Sequence, residues 1–226
     1  MAGRIDRPTA IAYPVSPPMP IRVIERLDLT DVTLVAHSMG CGVAWAYWDL
    51  YRDEYLQRFV LIDQPPVLAS FPDWPEDMVI RSGAPHEAVD VPAFIVALRS
   101  AHGEELAAGA VETMFTSAMP KEQKAAVVQQ MLLTGRAEAS ALMFSQIALD
   151  WRDILAEITI PTLLIGGEAS LFAVQYIKDL SAAIPDSKTH VISARDGGSH
   201  MVIMENAAAV NAAIRPFIES TPLTRF

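Results

Sequence analysis

The chain has 226 residues, 51% hydrophobic and 19% charged, with 17 basic against 27 acidic side chains. That length and apolar share allow one sizeable core. The formal net charge of −10, with basic residues scattered singly, argues against a nucleic-acid partner, which needs clustered Lys and Arg to neutralise phosphates. The lone cysteine, Cys41, excludes an intrachain disulfide and a cysteine-based metal framework.

Arg4 and Arg7 occur near the start without an apolar stretch, so no secretory signal is expected. No uninterrupted run of about 18 apolar residues offers a membrane span, and a cytoplasmic protein is the default expectation. Pro8, Pro14, Pro17, Pro18 and Pro20 exclude a regular helix or central strand over 8–20. A short helical stretch follows over 21–27. Val32 to Ala36, apolar and β-branched without polar alternation, reads as a buried parallel strand, and 40–51 as a helix. A second buried strand over 59–62 ends at Asp63, where Pro65 and Pro66 forbid continuation. Third and fourth strands are expected over 162–165 and 189–193, followed by helices over 172–183 and 202–218.

Strands alternating with helices imply βαβ units, hence an α/β chain with a mostly parallel sheet flanked by helices. Between the second and third strands lie almost a hundred residues with no strand signal and helical patterns over 93–101, 104–117, 121–133 and 138–149. They are expected to form an inserted helical lid, residues 67–149, on a core made of 1–66 and 150–226.

Ala36-His37-Ser38-Met39-Gly40 lies between the first strand and a helix, the setting that a nucleophile elbow requires. Small residues two before and two after the serine allow the sharp turn that lifts its Oγ above the sheet edge. The Met39 backbone N–H, at the helix N-terminus, would face a developing oxyanion. The blander alternative for Ser38 is an N-cap on an ordinary helix. Near the other end, Asp196-Gly197-Gly198-Ser199-His200 forms a flexible loop, and its imidazole is the candidate base for the Ser38 proton. His86, His102 and His190 read as structural or solvated, and His37 as part of the elbow.

The ordered set Leu34–Gly40, Leu61-Ile62-Asp63, Ile160–Gly167 and Gly198-Ser199-His200 resembles the α/β-hydrolase superfamily, in particular its bacterial esterase and cofactor-free haloperoxidase-like branch. The resemblance runs from about Gly3 to Phe217. It implies a partial α/β-hydrolase core that cleaves a small, fairly apolar ester or lactone through an acyl-Ser38 intermediate. The alternatives are a catalytically impaired remnant acting as a binding or interaction protein, or a cofactor-free perhydrolase or haloperoxidase. The sequence, with no phosphate-cradling glycine loop and no ligand-spaced His/Cys set, implies no cofactor and no metal. Family members usually carry the triad acid just after the penultimate strand, in a Gly-x-x-Asp-like turn. Here that turn reads Gly166-Gly167-Glu168-Ala169-Ser170. Asp63 occupies the strand end where haloalkane dehalogenases and zearalenone-type lactonases place theirs, so it is favoured, with Glu168 as the alternative acid and Asp196 a distant third.

Relatives also place several strands before the elbow, one followed by a loop carrying a second oxyanion donor. Residues 2–8 resemble the tail of that loop, so the amino-terminal part of the sheet is expected to be missing. The strand over 32–36 would then be an exposed apolar edge, and a homo-oligomer through that edge is expected. Phe71, Trp74, Phe94, Met114, Phe115, Met119, Met131, Met143 and Phe144 of the lid are candidates for an apolar pocket, with core packing the simpler role for most.

Overall fold

The computed structural model describes residues 19–220, so the proline-rich start and the reading of residues 2–8 lie outside the described residues. Helix α1 (Met19–Arg26) buries Ile21 and Ile24 and leaves Met19 and Val23 exposed. It leads to strand β1 (Val32–His37), helix α2 (Met39–Tyr51) and strand β2 (Leu56–Ile62). The helical segment follows, from β3 (Ala69–Ser70), α3 (Glu76–Ser82) and β4 (His86–Glu87) to α4 (Val91–Arg99), α5 (Gly103–Thr113), α6 (Lys121–Met131) and α7 (Arg136–Ile147). The chain then returns as β5 (Thr162–Gly167), α8 (Tyr176–Ala183), β6 (Ser187–Ile192), α9 (Val202–Glu205) and α10 (Ala207–Ser220).

The main sheet is parallel, in the order β1-β2-β5-β6, with His37 opposite Ile62 and Ile62 opposite Ile165. Strand β2 is buried on both faces because its side chains alternate between two cores. Phe59 and Leu61 join Trp45, Trp48 and Leu164 on one face, and Val60 and Ile62 join Leu163, Ile165, Val210 and Phe217 on the other. Full burial of each such side chain is worth about 1.5–3 kcal/mol, and Phe59→Ala is expected to cost about 3–5 kcal/mol. Among the described residues β1 pairs with β2 alone and forms one edge.

The helical segment leaves and rejoins the core at one place. Val67 and Asp150 form an antiparallel bridge, and the Trp151 N–H donates to the Pro66 carbonyl at 3.0 Å. Two sequence expectations are corrected within it. A two-residue parallel ladder, Ala69–His86 and Ser70–Glu87, lies where no strand was expected, and α3 was not foreseen. Such short elements carry too few residues for periodicity to register.

Two helices near the carboxyl end also differ from expectation. The run over 202–218 is broken at Asn206, whose Nδ2 donates to the Asp196 carbonyl at 2.7 Å while its Oδ1 accepts the Ala209 N–H at 2.9 Å. Asparagine thus caps α10 and stops α9. Helix α8 starts at Tyr176 rather than 172, because the Phe172 N–H is held by the Ser170 hydroxyl at 3.2 Å in a local turn. Among the described residues no helix is long and apolar enough to cross a membrane.

Candidate active site

Ser38 occupies the turn between β1 and α2 with φ 53° and ψ −129°. A non-glycine residue there costs about 1–3 kcal/mol and persists only when its surroundings enforce it. Here the Ser38 N–H donates to the Ile62 carbonyl of the neighbouring strand at 3.0 Å, and the Ser38 carbonyl accepts the Cys41 N–H at 2.8 Å. A Cβ on Gly40 would stand 3.8 Å from that of Ala36, so two methyls fit across the bend, which is why alanine serves at position 36. Met39 opens α2, and its N–H belongs to the first turn, where backbone donors lack intrahelical acceptors. The Gln146 amide of α7 reaches the Met39 carbonyl at 3.5 Å.

The His200 ring is buried between the ends of β1 and β2. Its Nδ1 lies 2.8 Å from Asp63 Oδ2 and its Nε2 lies 2.9 Å from Ser38 Oγ. A carboxylate only accepts, so Nδ1 carries the proton, and Nε2 is left as acceptor for the Ser38 hydroxyl. The ring is further fixed by Phe172, edge-on at 5.3 Å between centroids. Two glycines allow this approach. A Cβ on Gly167 would fall 2.1 Å from the Gly198 carbonyl oxygen, and one on Gly198 would fall 2.1 Å from the Ile192 carbonyl oxygen, so the His200 loop can lie directly on the end of β5.

Asp63 is 1% exposed and sits at the end of β2 with φ 50°. Besides His200, its carboxylate accepts the Ser170 hydroxyl at 2.5 Å, the Tyr176 hydroxyl at 3.3 Å and the Gly167 N–H at 3.4 Å. A buried carboxylate needs such donors in place of water. Burial, with the Asp63 charge next in size, pushes the Tyr176 phenol well above its usual range, which keeps it a donor. Glu168 points elsewhere: its carboxylate is exposed and accepts the Ala194 N–H at 3.0 Å, tying two loops together. Asp196 accepts the Ser193 hydroxyl. Of the three sequence candidates for the acid, only Asp63 meets the His200 ring.

Ser170 and Tyr176 were not foreseen, since no local signal links them to a carboxylate more than a hundred positions earlier. His37 also acquires a definite contact. Its Nε2 donates to the His200 carbonyl at 2.7 Å, and the two rings stand 5.1 Å apart. Burial pushes the His37 pKa below 6.5. Of the apolar residues expected to line a pocket, Phe115 and Met119 pack into a small core, and Met143 and Phe94 rest against the main one. Phe71 and Phe144 are half exposed and line a cavity of about 220 Å³ with Val91 and Ile147. Among the described residues no three His, Cys, Asp or Glu side chains are grouped to hold a metal ion.

A family model described as alpha/beta hydrolase fold matches residues 19–207. A Synechocystis protein with the provisional name non-heme chloroperoxidase is 26% identical over 209 residues, covering 87% of this chain and 70% of its own. Among solved structures, bromoperoxidase from Bacillus anthracis superposes with a TM-score of 0.77 at 21% identity, covering 88% of this chain and 71% of its own. An esterase from Exiguobacterium antarcticum gives 0.73 at 18% identity, with coverages of 88% and 71%. The enol-lactonase from Burkholderia xenovorans gives 0.68 at 20%, with coverages of 88% and 70%. At these identities the structural likenesses carry the fold.

Proposed function

The chain belongs to the alpha/beta-hydrolase family, and from that premise we propose that it is a serine hydrolase acting on small, fairly apolar esters or lactones. The observation that carries this reading is the continuous line from Asp63 through both nitrogens of His200 to the Ser38 hydroxyl. Ser38 Oγ attacks the acyl carbon while its proton passes to His200 Nε2, and Asp63 holds the resulting imidazolium. The Met39 N–H meets the developing oxyanion. Collapse expels the alcohol, which takes the proton from Nε2–H and leaves acyl-Ser38. Water then gives its proton to Nε2 and attacks the ester, releasing the acid and restoring the serine. The helical segment 67–149 serves as a lid, and its half-exposed Phe71 and Phe144 offer apolar surface to an acyl group.

Hydrolysis of p-nitrophenyl acetate and butyrate, with Ser38→Ala alongside, tests the reading. Turnover that survives the substitution unchanged overturns it. A fluorophosphonate probe adds a check, because labelling at Ser38 needs an activated hydroxyl, and a non-catalytic binding protein would leave the probe unreacted.

The names of the Synechocystis relative and the Bacillus anthracis structure favour a second reading, perhydrolysis. Hydrogen peroxide would replace water in attacking acyl-Ser38, release a peracid, and the peracid would oxidise halide. Bromination of a phenol dye with acetate, peroxide and bromide, lost in Ser38→Ala, is its expected sign.

We also propose that a second copy of the chain covers the β1 edge. Val35 there is 49% exposed, and Met19 and Val23 of α1, with Leu27 just after it, are exposed apolar side chains as well. Sedimentation showing a folded monomer at micromolar concentration would remove this proposal.

A further inference from the structure

The loop that carries His200 is held from the lid side as well as from the core. Immediately after the histidine, the Met201 N–H donates to the carbonyl of Met114 at 3.1 Å. Four residues on, Glu205 closes α9 and takes two bonds from the same turn of the lid. Its Oε2 accepts the Thr116 N–H at 3.0 Å, and its Oε1 accepts the Thr116 hydroxyl at 2.6 Å. Both ends of α9 therefore grip Met114–Thr116, the turn between α5 and α6. The Met201 side chain packs on Val111, Phe115 and Met119 of that helix pair, so an apolar contact runs beside the two polar ones.

Helix α9 has four residues, too few to hold itself together. Its shape comes from what it touches. The Met201 carbonyl accepts both the Met204 N–H at 2.8 Å and the Glu205 N–H at 3.0 Å, which makes Met201 and Glu205 parts of one turn. Asn206 anchors the far end to the Asp196 carbonyl. Any displacement of the α5–α6 turn is thus passed through Glu205 and Met201 to the backbone next to the base.

We propose that Glu205 is a positioning residue that couples the seating of the α5–α6 helix pair to the placement of the His200 imidazole. This rests on the serine-hydrolase reading for its meaning in catalysis. Its geometric content, that the His200 ring is held in place by a lid contact, does not. A carboxylate suits the task because both of its oxygens accept, one for each Thr116 donor. A glutamine can keep both contacts, its Oε1 accepting the Thr116 N–H and its Nε2 donating to the Thr116 hydroxyl, but it loses the charge that strengthens them, whereas alanine removes both.

The test compares wild type with Glu205→Gln, Glu205→Ala and Thr116→Val, which removes the hydroxyl and keeps the backbone donor. The first readout is the His200 Nδ1–H proton resonance, which requires no turnover. It is expected to be sharp in wild type and broadened or lost in Glu205→Ala. The second is p-nitrophenyl butyrate turnover and the rate of fluorophosphonate labelling. Misplacement from a remote contact reaches about 100-fold in rate, so Glu205→Ala is expected to lower kcat and labelling by about 10–100-fold with little change in KM. Thr116→Val is expected to fall less and Glu205→Gln least, and their combination about as far as Thr116→Val alone, because both variants act on the same hydroxyl contact.

An unchanged Nδ1–H resonance in folded Glu205→Gln and Glu205→Ala overturns the proposal, as does a loss of melting temperature with wild-type kcat. A wild-type protein that neither labels nor turns over overturns the serine-hydrolase reading instead. In that case the resonance still decides the coupling.

Discussion

Ser38 and Asp63 occupy the same place on neighbouring parallel strands. Each follows the last residue of its strand, in a register that sets His37 against Ile62, and each has a left-handed φ of 53° or 50°. Their backbone N–H groups even use the same device, donating to the next strand along, Ser38 to Ile62 and Asp63 to Ile165. What differs is the purpose of the bend. At Ser38 it leads into α2 and leaves the hydroxyl half-buried beside Met39. At Asp63 it turns a carboxylate inwards among Ser170, Tyr176, Gly167 and His200. One bend leaves a hydroxyl part-exposed, and the other buries a carboxylate among its donors. Strain at a strand end thus does not by itself say which role a residue has; its hydrogen-bond partners do.

The largest expected effect is at the Ser38 bend. Ser38→Ala should remove hydrolysis down to the background of the assay, a loss of about 10⁵-fold or more in kcat. At the buried bend, Asp63→Asn should lower kcat by about 10⁴-fold, since the amide favours the wrong tautomer of His200. Glu168→Gln should stay within about twofold of wild type, as expected for a group whose bond lies on an exposed loop. Equal losses from Asp63→Asn and Glu168→Gln in p-nitrophenyl butyrate assays would contradict the geometry.

Stability sharpens the contrast. Ser38→Gly relieves a strained φ and should raise the unfolding free energy by about 1 kcal/mol in urea titrations. Asp63→Gly relieves a similar φ, yet it strands buried donors on Ser170, Tyr176 and His200. It should therefore lower stability, by about 1–3 kcal/mol for each donor left without an acceptor. A common sign for the two glycine variants would mean that strain, and not pairing, dominates both sites.

The smallest effect concerns His37, which links the two bends through the His200 carbonyl. Burial depresses its folded-state pKa below the unfolded 6.5. The stability of the neutral ring is therefore present above pH 6.5 and is lost as pH falls through the folded value. His37→Gln keeps an Nε2 donor and removes the titration. Its melting temperature should fall less steeply than that of wild type on acidification below pH 6.5.

Some of this architecture can be read along the chain because its causes are local. Apolar, β-branched runs at 32–36, 59–62 and 162–165 mark parallel strands, but only the last two are buried as expected, since the first lies at the sheet edge, buries Ala36 and leaves Val35 exposed. The small residues around Ser38 announce a sharp bend after the first of them, and glycines before His200 announce a loop. What lay beyond local reading has long-range causes. The break at Asn206 depends on the Asp196 carbonyl ten residues back. The choice between Asp63 and Glu168 depends on a loop approach permitted by Gly167 and Gly198 lying against one another.

The amino-acid order alone therefore determined the strand and helix alternation and the position of the sharp bend at Ser38, since each follows from side-chain size, polarity and spacing within a few residues. His200 became the candidate base through its place in the order of motifs that the family resemblance supplies. Only the tertiary structure decided which carboxylate meets His200, that Ser170 and Tyr176 solvate it, and that Glu205 reaches across to the α5–α6 turn. Those pairings join residues a hundred or so positions apart, and hydrogen bonds are selected by distance in space, to which separation along the chain is indifferent.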